Sequence, residues 1–186
     1  MEEYSYALTQ VGAIWGIGVG VCQGEKITDI CSVNESNPLY CSRELRELLI
    51  KRAVSQENAV IYQDAHEVCF GCVKKENRYV MLGPMALKRL NRIELHRFSR
   101  QYEIDQKQEK SIHKFTAAQI VSMVGLVNNI VTGRETAGEE LMRSNHINYK
   151  SRQEMERAQI QFALKEEEAE LYHHTYMSKI PKFSTI

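Results

Sequence analysis

The feature that most constrains this chain is the run Val68-Cys69-Phe70-Gly71-Cys72-Val73, with no polar side chain in six positions. Alternation puts Val68, Phe70 and Cys72 on one side of a strand and Cys69, Gly71 and Val73 on the other, so both faces want cover. Such a strand belongs inside a sheet with a second layer or a ligand on its open side. Its neighbours fit the same picture. Val60, Ile61 and Tyr62 suit a pleated, half-buried surface. Tyr79 to Leu82 run back after the polar turn Lys74–Asn77. Pro84 lacks an amide proton and is expected to end the ladder. Residues 58–84 therefore read as three consecutive strands, the last two a hairpin, around which the rest of the chain is built.

The segments before it supply two more strands and two helices. Residues 2–15 read as a helix with Leu8, Val11 and Trp15 on one stripe. Gly16, Gly18 and Gly20 follow. Their spacing fails the dinucleotide-loop pattern, which needs a third glycine at Val21 or Gln23 and a following helix. Glycine entering a strand marks instead a bulge or a close approach. Residues 19–23 and 26–32 form a hairpin across Gly24-Glu25. Residues 34–40 read as a loop in which Pro38 biases Asn37 towards extended backbone. Ser42 is a good N-cap with Glu44 in the first turn, and Leu45, Leu48, Leu49 and Ala53 line one face of a helix ending near Gln56. Helix, two strands, helix, three strands, with every strand-to-strand link short except the helical one, favours an α+β fold: a five-stranded antiparallel sheet packed by helices, as in PAS-like and GAF-like modules.

After Pro84 the chain turns helical. Leu90, Ile93, Arg97 and Phe98 make one stripe of a helix expected over 88–102, and residues 103–113 read as a polar loop. Thr116 and Gln119 form a capping box. The helix they open is apolar over most of its circumference from Ile120 to Val131, so it should be buried on several sides, as a core backing helix or in a dimer interface. Gly133 ends it. Thr136 and Glu139 repeat the capping pattern for a short helix to Ser144. Ser151 and Glu154 open a long, highly charged terminal helix to about Ile180, stopped by Pro181. Met155, Phe162, Ala169 and Tyr176 recur every seven residues, half of a heptad seam. Two parts follow: a sensor-like domain over 1–146 and a linker or signalling helix with its tail over 147–186.

Composition excludes some classes. The 186 residues carry 24 basic and 24 acidic side chains, and 43% hydrophobic content is ordinary for a globular protein. A duplex-binding domain normally has a basic excess. The basic cluster Lys88, Arg89, Arg92, Arg97 and Arg100 therefore reads as the solvated side of one helix. No apolar run approaches the ~20 residues of a membrane span. The start MEEYSY lacks a secretion pattern, and five cysteines is an odd count, so reduced thiols in a cytoplasm are expected.

The pieces NPLYCSRELRELLIKRAV, VIYQDAHEVCFGCV, RYVMLGPMAL, RIELHRFSRQYEI, IVTGRE and LYHHTY together resemble the amino-terminal sensor regions of AraC-type transcriptional regulators, over residues 17–176. In such regulators the final helix leads into paired helix-turn-helix motifs. This chain ends within ten residues of Tyr176, so the resemblance implies DNA contact only through a domain outside it. It further implies a bacterial regulatory input domain, a homodimer and a small-molecule effector.

Several residues invite chemistry. Cys69 and Cys72 make a CxxC with His66 three residues ahead, but positions three apart on a strand point to opposite faces, which favours structural thiols over a redox pair or a metal site. Cys22, Cys31 and Cys41 read as small apolar fillers. His173 and His174 diverge by about 100° on a helix, which disfavours one shared metal. His96 reads as a hydrogen-bonded histidine rather than a base. No activated serine, isolated carboxylate pair or phosphate loop stands out, so the chain reads as no enzyme, without metal or cofactor. Trp15, Tyr62, Phe70 and Tyr79 are the candidate effector-binding residues, with ordinary core packing as the competing explanation for each. The alternatives to ligand sensing are a dimerisation module without ligand and a thiol-based redox sensor.

Overall fold

The computed structural model of the protein describes residues 2–56, 59–105, 107 and 110–145. These belong to one compact unit, Met1–Ile147. The expected terminal helix, its heptad seam and the His173-His174 pair lie outside the described residues.

The element order is α1 (Glu2–Trp15), β1 (Gly18–Gln23), β2 (Lys26–Cys31), α2 (Pro38–Cys41), α3 (Arg43–Ser55), β3 (Val60–Gln63), β4 (Val68–Lys75), β5 (Arg78–Ala86), α4 (Arg92–Gln101), α5 (Ala117–Thr132) and α6 (Gly138–Ser144). The strands form one antiparallel sheet in the order β2-β1-β5-β4-β3. The two-sided apolar pattern of β4 has a direct cause: helices cover both faces. On one face, Val19, Val21, Ile61, Cys69, Val73, Val80 and Leu82 pack with side chains of α1, α5 and α6. On the other, Cys22, Val60, Val68, Phe70, Cys72 and Met81 pack with α2, α3 and α4. The expectation for α5 is met by its role as backing helix: it buries Ile120, Val121, Met123, Val124, Val127 and Val131, while Leu126 stays 46% exposed.

The glycines of β1 work by making room. A Cβ at Gly18 would collide with Asn37 Nδ2 and the Gly83 carbonyl. Its absence lets Asn37 donate to that carbonyl at 2.9 Å. The register also shifts between Val19 and Gly20, the bulge that strand glycine signals.

Four sequence expectations need correction. Residues 34–40 hold not a plain loop but the start of α2. Asn37 caps it by accepting from Leu39 N at 2.9 Å, and Pro38 takes the first turn. Pro84 does not end the ladder. Val68 still pairs with Ala86 and Cys69 with Met85, because a register shift between Cys69 and Gly71 leaves Gly83 and Pro84 without a partner on β4, while Gly83 still pairs with Gly18 of β1. The helix expected over 88–102 starts later, at Asn91, whose side chain forms a capping box with Glu94. Its buried face is Phe98, Ser99 and Tyr102, whereas Ile93 is 66% exposed and Arg97 is exposed. Finally, Thr136 does not cap α6. Ala137 takes the N-cap place without a side-chain bond, because the Thr136 hydroxyl accepts from Asn128 Nδ2 at 3.0 Å.

The exposed edge of β3 is closed by Asn145, buried at the end of α6. Its Oδ1 accepts from Ile61 N at 2.8 Å, and its Nδ2 donates to Ala59 O at 3.0 Å and Leu141 O at 2.9 Å. One side-chain amide thus stands in for a neighbouring strand.

Candidate functional site

The four candidate residues do not converge. Trp15 lies on the α1/α5 side, its ring 6.5 Å from that of Phe115. Tyr62, Phe70 and Tyr79 lie on the opposite side. Tyr62 sits across from Phe70 in the β3–β4 ladder and under the Arg52 guanidinium at 4.8 Å. Phe70 is fully buried and meets Tyr102 edge-on at 5.7 Å, and Tyr102 in turn meets Phe98 at 4.8 Å. This side is a filled aromatic core.

That core contains one buried acid. Asp64 Oδ1 accepts from His66 N at 2.9 Å and Val68 N at 2.8 Å, closing the β3–β4 connection as an Asx-type turn. Its Oδ2 accepts from the Tyr102 hydroxyl at 2.9 Å. Burial pushes the Asp64 carboxyl above the usual range, and the hydrogen bonds from Val68, Tyr102 and His66 pull it back in part. Burial, with the Asp64 charge beside it, likewise pushes the Tyr102 phenol up. Two of these bonds close the β3–β4 turn and the third ties the end of α4 to it, so the set serves the architecture.

The thiols separate as strand geometry requires. Cys69 belongs to the core under α5 and Cys72 to the core under α3. A Cys69–Cys72 bond would have to cross the sheet. Burial pushes the Cys69 thiol up to about 12 and the Cys72 thiol higher still. The thiol-switch alternative built on this pair is set aside on that geometry. Among the described residues, no three His, Cys, Asp or Glu side chains gather as a metal set.

Two clefts open at opposite ends of the sheet. The smaller, about 220 Å³, lies near the start of β1 and is walled by Gly16, Ser32, Asn37, Pro84, Ser99 and His113, among others. The larger, about 370 Å³, lies where the end of α3, the start of β3, the β4–β5 turn and the end of α5 meet. Neither is lined by Trp15, Tyr62, Phe70 or Tyr79.

The larger cleft is the better built. Ala53 and Ala59 are small and leave space. Lys74, Lys75 and Glu76 come from the hairpin, and Arg134 from the loop after α5. That loop is held on both sides of Arg134: Asn128 Nδ2 donates to Arg134 O at 3.3 Å, and Arg134 N donates to Thr132 Oγ1 at 3.2 Å. Lys75 Nζ rests over the Tyr4 ring at 5.1 Å. The remaining wall is Gln56. Its Nε2 donates to Ser144 O at 3.4 Å, which orients the amide, and its Oε1 is buried with no partner among the described residues.

None of these cleft residues stands out in the sequence. Lys74 and Arg134 lie 60 positions apart, and each looks like an ordinary turn residue. Their significance comes from the antiparallel return that brings the β4–β5 turn to the end of α5.

Comparison of the chain with models of known protein families, with curated proteins and with solved structures finds no match. No helix among the described residues is long and apolar enough to cross a membrane.

Proposed function

We propose that this chain is a non-catalytic, cytoplasmic input domain of an AraC-type bacterial transcription regulator, one that binds a small effector and dimerises. The sheet order β2-β1-β5-β4-β3, with helices in the β2–β3 connection, supports a PAS- or GAF-like reading. The observation that carries the proposal is the wiring of the larger cleft. Two of its lining residues hold the last described turn of the chain: Gln56 bonds Ser144, and Ala59 bonds Asn145. That turn leads into residues 147–186, the expected signalling helix. An effector in the cleft acts on the groups that hold the turn before this segment. It therefore shifts the population of its arrangements by as much as its affinity differs between them.

The test is a thermal-shift screen of metabolites on the 186-residue chain, followed by amide exchange at Ile61 and at Asn145. The reading expects a stabiliser that also slows exchange at both amides. A stabiliser that leaves both unchanged breaks the proposed relay, and a broad library without any stabiliser breaks ligand sensing. Ligand-free dimerisation is the second reading. It is favoured by one feature of α1, whose Tyr6 and Ile14 are 76% and 74% exposed. Under it, sedimentation reports a dimer whatever is added, and Tyr6→Glu with Ile14→Glu disperses it.

A further inference from the structure

We infer that the larger cleft takes a small carboxylate or phosphate that also carries an N–H or O–H donor. This deepens the regulatory reading by naming its effector class, and it rests on that reading only for the word effector. Charge is the first argument. Among the described residues, Lys74, Lys75 and Arg134 line the cleft with one acid, Glu76, and Lys75 Nζ rests over the Tyr4 ring. The ion pairs among the described residues lie elsewhere, at Arg43 with Glu25 and Glu47 and at Lys88 with Glu67 and Glu94. The cations are thus not neutralised by one another's neighbours, and they stand around a concave space rather than along a helix.

Preorganisation is the second argument. Asn128 is buried and spends its amide on Arg134 O and Thr136 Oγ1, while Thr132 donates to Asn128 O at 2.7 Å and accepts from Arg134 N. These polar groups are occupied in holding the Arg134 backbone at the cleft wall, and its guanidinium makes no ion pair among the described residues. A fork of that shape suits a carboxylate or phosphate through two parallel bonds.

Gln56 is the third argument. Among the described residues its Oε1 is a buried acceptor without a donor, and flipping the amide would only turn that acceptor towards Ser144 O. Buried acceptors are normally satisfied, so this one marks the place where a ligand donor fits. The volume, about 370 Å³, is at the low end of the ~300–1,000 Å³ of small-molecule sites. A DNA backbone would use the two lysines as well, but its phosphodiesters and deoxyriboses carry no N–H or O–H donor for Gln56 Oε1.

The experiment is calorimetric titration of the 186-residue chain with L-glutamate, glutarate, glycerol 3-phosphate, inorganic phosphate and neutral glutaramide. Glutamate or glycerol 3-phosphate should bind saturably at one site, more tightly than glutarate or phosphate, and glutaramide should not bind. Lys74→Ala with Arg134→Ala removes two exposed cations and should weaken binding at least ~10-fold, the size expected when charge-assisted bonds are lost. Gln56→Met should weaken L-glutamate and leave glutarate unchanged. Absence of saturable binding by every anion overturns the inference, as does binding that survives the Lys74/Arg134 double variant. Inorganic phosphate alone would be an adventitious ion only, and overturns it too. If the anions fail but a neutral metabolite stabilises the chain, the ligand class is wrong and the regulatory reading stands. If the anions bind but exchange at Ile61 and Asn145 is unchanged, the site stands and the relay falls.

Discussion

Replacing Tyr102 by Phe removes a hydroxyl whose chief partner is Asp64, with Gln101 beside it. The Tyr102 ring is 4% exposed and packed edge-on against Phe98 and Phe70, contacts that Phe keeps. What is lost is the hydroxyl that donates to Asp64 Oδ2 at 2.9 Å. A hydrogen bond to a buried charged acceptor is worth ~1.5–3 kcal/mol, so Tyr102→Phe should destabilise by that amount at neutral pH. The pH dependence has a definite sign. The Asp64 carboxyl already lies above its ordinary 3.8, so the folded state holds a proton that the unfolded state has released, and stability falls as pH rises through that window. The Tyr102 bond works against this rise. Deleting it lifts the folded value further, so the penalty is full above the window and shrinks as acid protonates the carboxyl. Urea denaturation of both proteins from about pH 8 to about pH 4 measures it. Asp64→Asn is the companion: it keeps an Oδ1 acceptor for His66 N and Val68 N, removes the charge and should flatten the profile. A penalty under ~0.5 kcal/mol at neutral pH, or one constant with pH, would refute the assignment of a charged, bonded Asp64.

Other consequences are as direct. Asn145→Ala leaves Ile61 N without its acceptor and Ala59 O without its donor. At ~1–3 kcal/mol for each buried group left unpaired, it should lower stability markedly and speed amide exchange at Ile61 above all, read by exchange mass spectrometry. Gly71→Ala places a Cβ 2.8 Å from both Leu82 Cδ1 and Val124 Cγ2, so α5 must lift. A loss of ~1–3 kcal/mol is expected, and Val124→Ala should restore part of it in a double-mutant cycle. With the Cys69 thiol at about 12, its thiolate fraction at neutral pH is ~10⁻⁵. A thiol-reactive dye should therefore label half-buried Cys31 and Cys41 in the native protein and reach Cys22, Cys69 and Cys72 only on unfolding.

Much of the fold is legible because its signals are local. Ser42, Thr116 and Gly133 mark helix ends through chemistry that acts within three or four residues, and all three cap as their residue types suggest. The alternation in Val68–Val73 is enough to demand cover on both faces, and the helices supply it. What escapes is set from a distance. The capping pattern of Thr136 and Glu139 is genuine in sequence, but Asn128, eight residues back, claims the hydroxyl. The segment from Arg92 to Tyr102 allows two helical stripes, and only docking against Phe70 and Asp64 selects the one with Phe98 and Tyr102 over the one with Ile93 and Arg97. Asn37 before Pro38 is a helix start in its chemistry, yet four residues of α2 offer no period to reveal it. The four aromatic candidates illustrate the same limit. Large side chains on a sheet fill a core or line a pocket with the same pattern, and here Phe70 fills a core.

The location of the larger cleft follows from how the sheet edge is closed. An open β3 edge would expose unpaired backbone groups beside the apolar layer under α5. Instead the chain returns through α6 and sets Asn145 against Ala59 and Ile61. A side-chain amide does this with two hydrogen bonds where a strand would use a ladder, so the closure is local and can open without dismantling the sheet. The same return leaves the space in which Gln56, Lys74 and Arg134 meet. The fold therefore places its edge closure next to the cleft that holds these charges. A bound anion that draws Gln56 Oε1 to its own donor would also hold Nε2 on Ser144. The edge closure and the occupancy of the cleft should rise and fall together, and each should protect the other's amides from exchange.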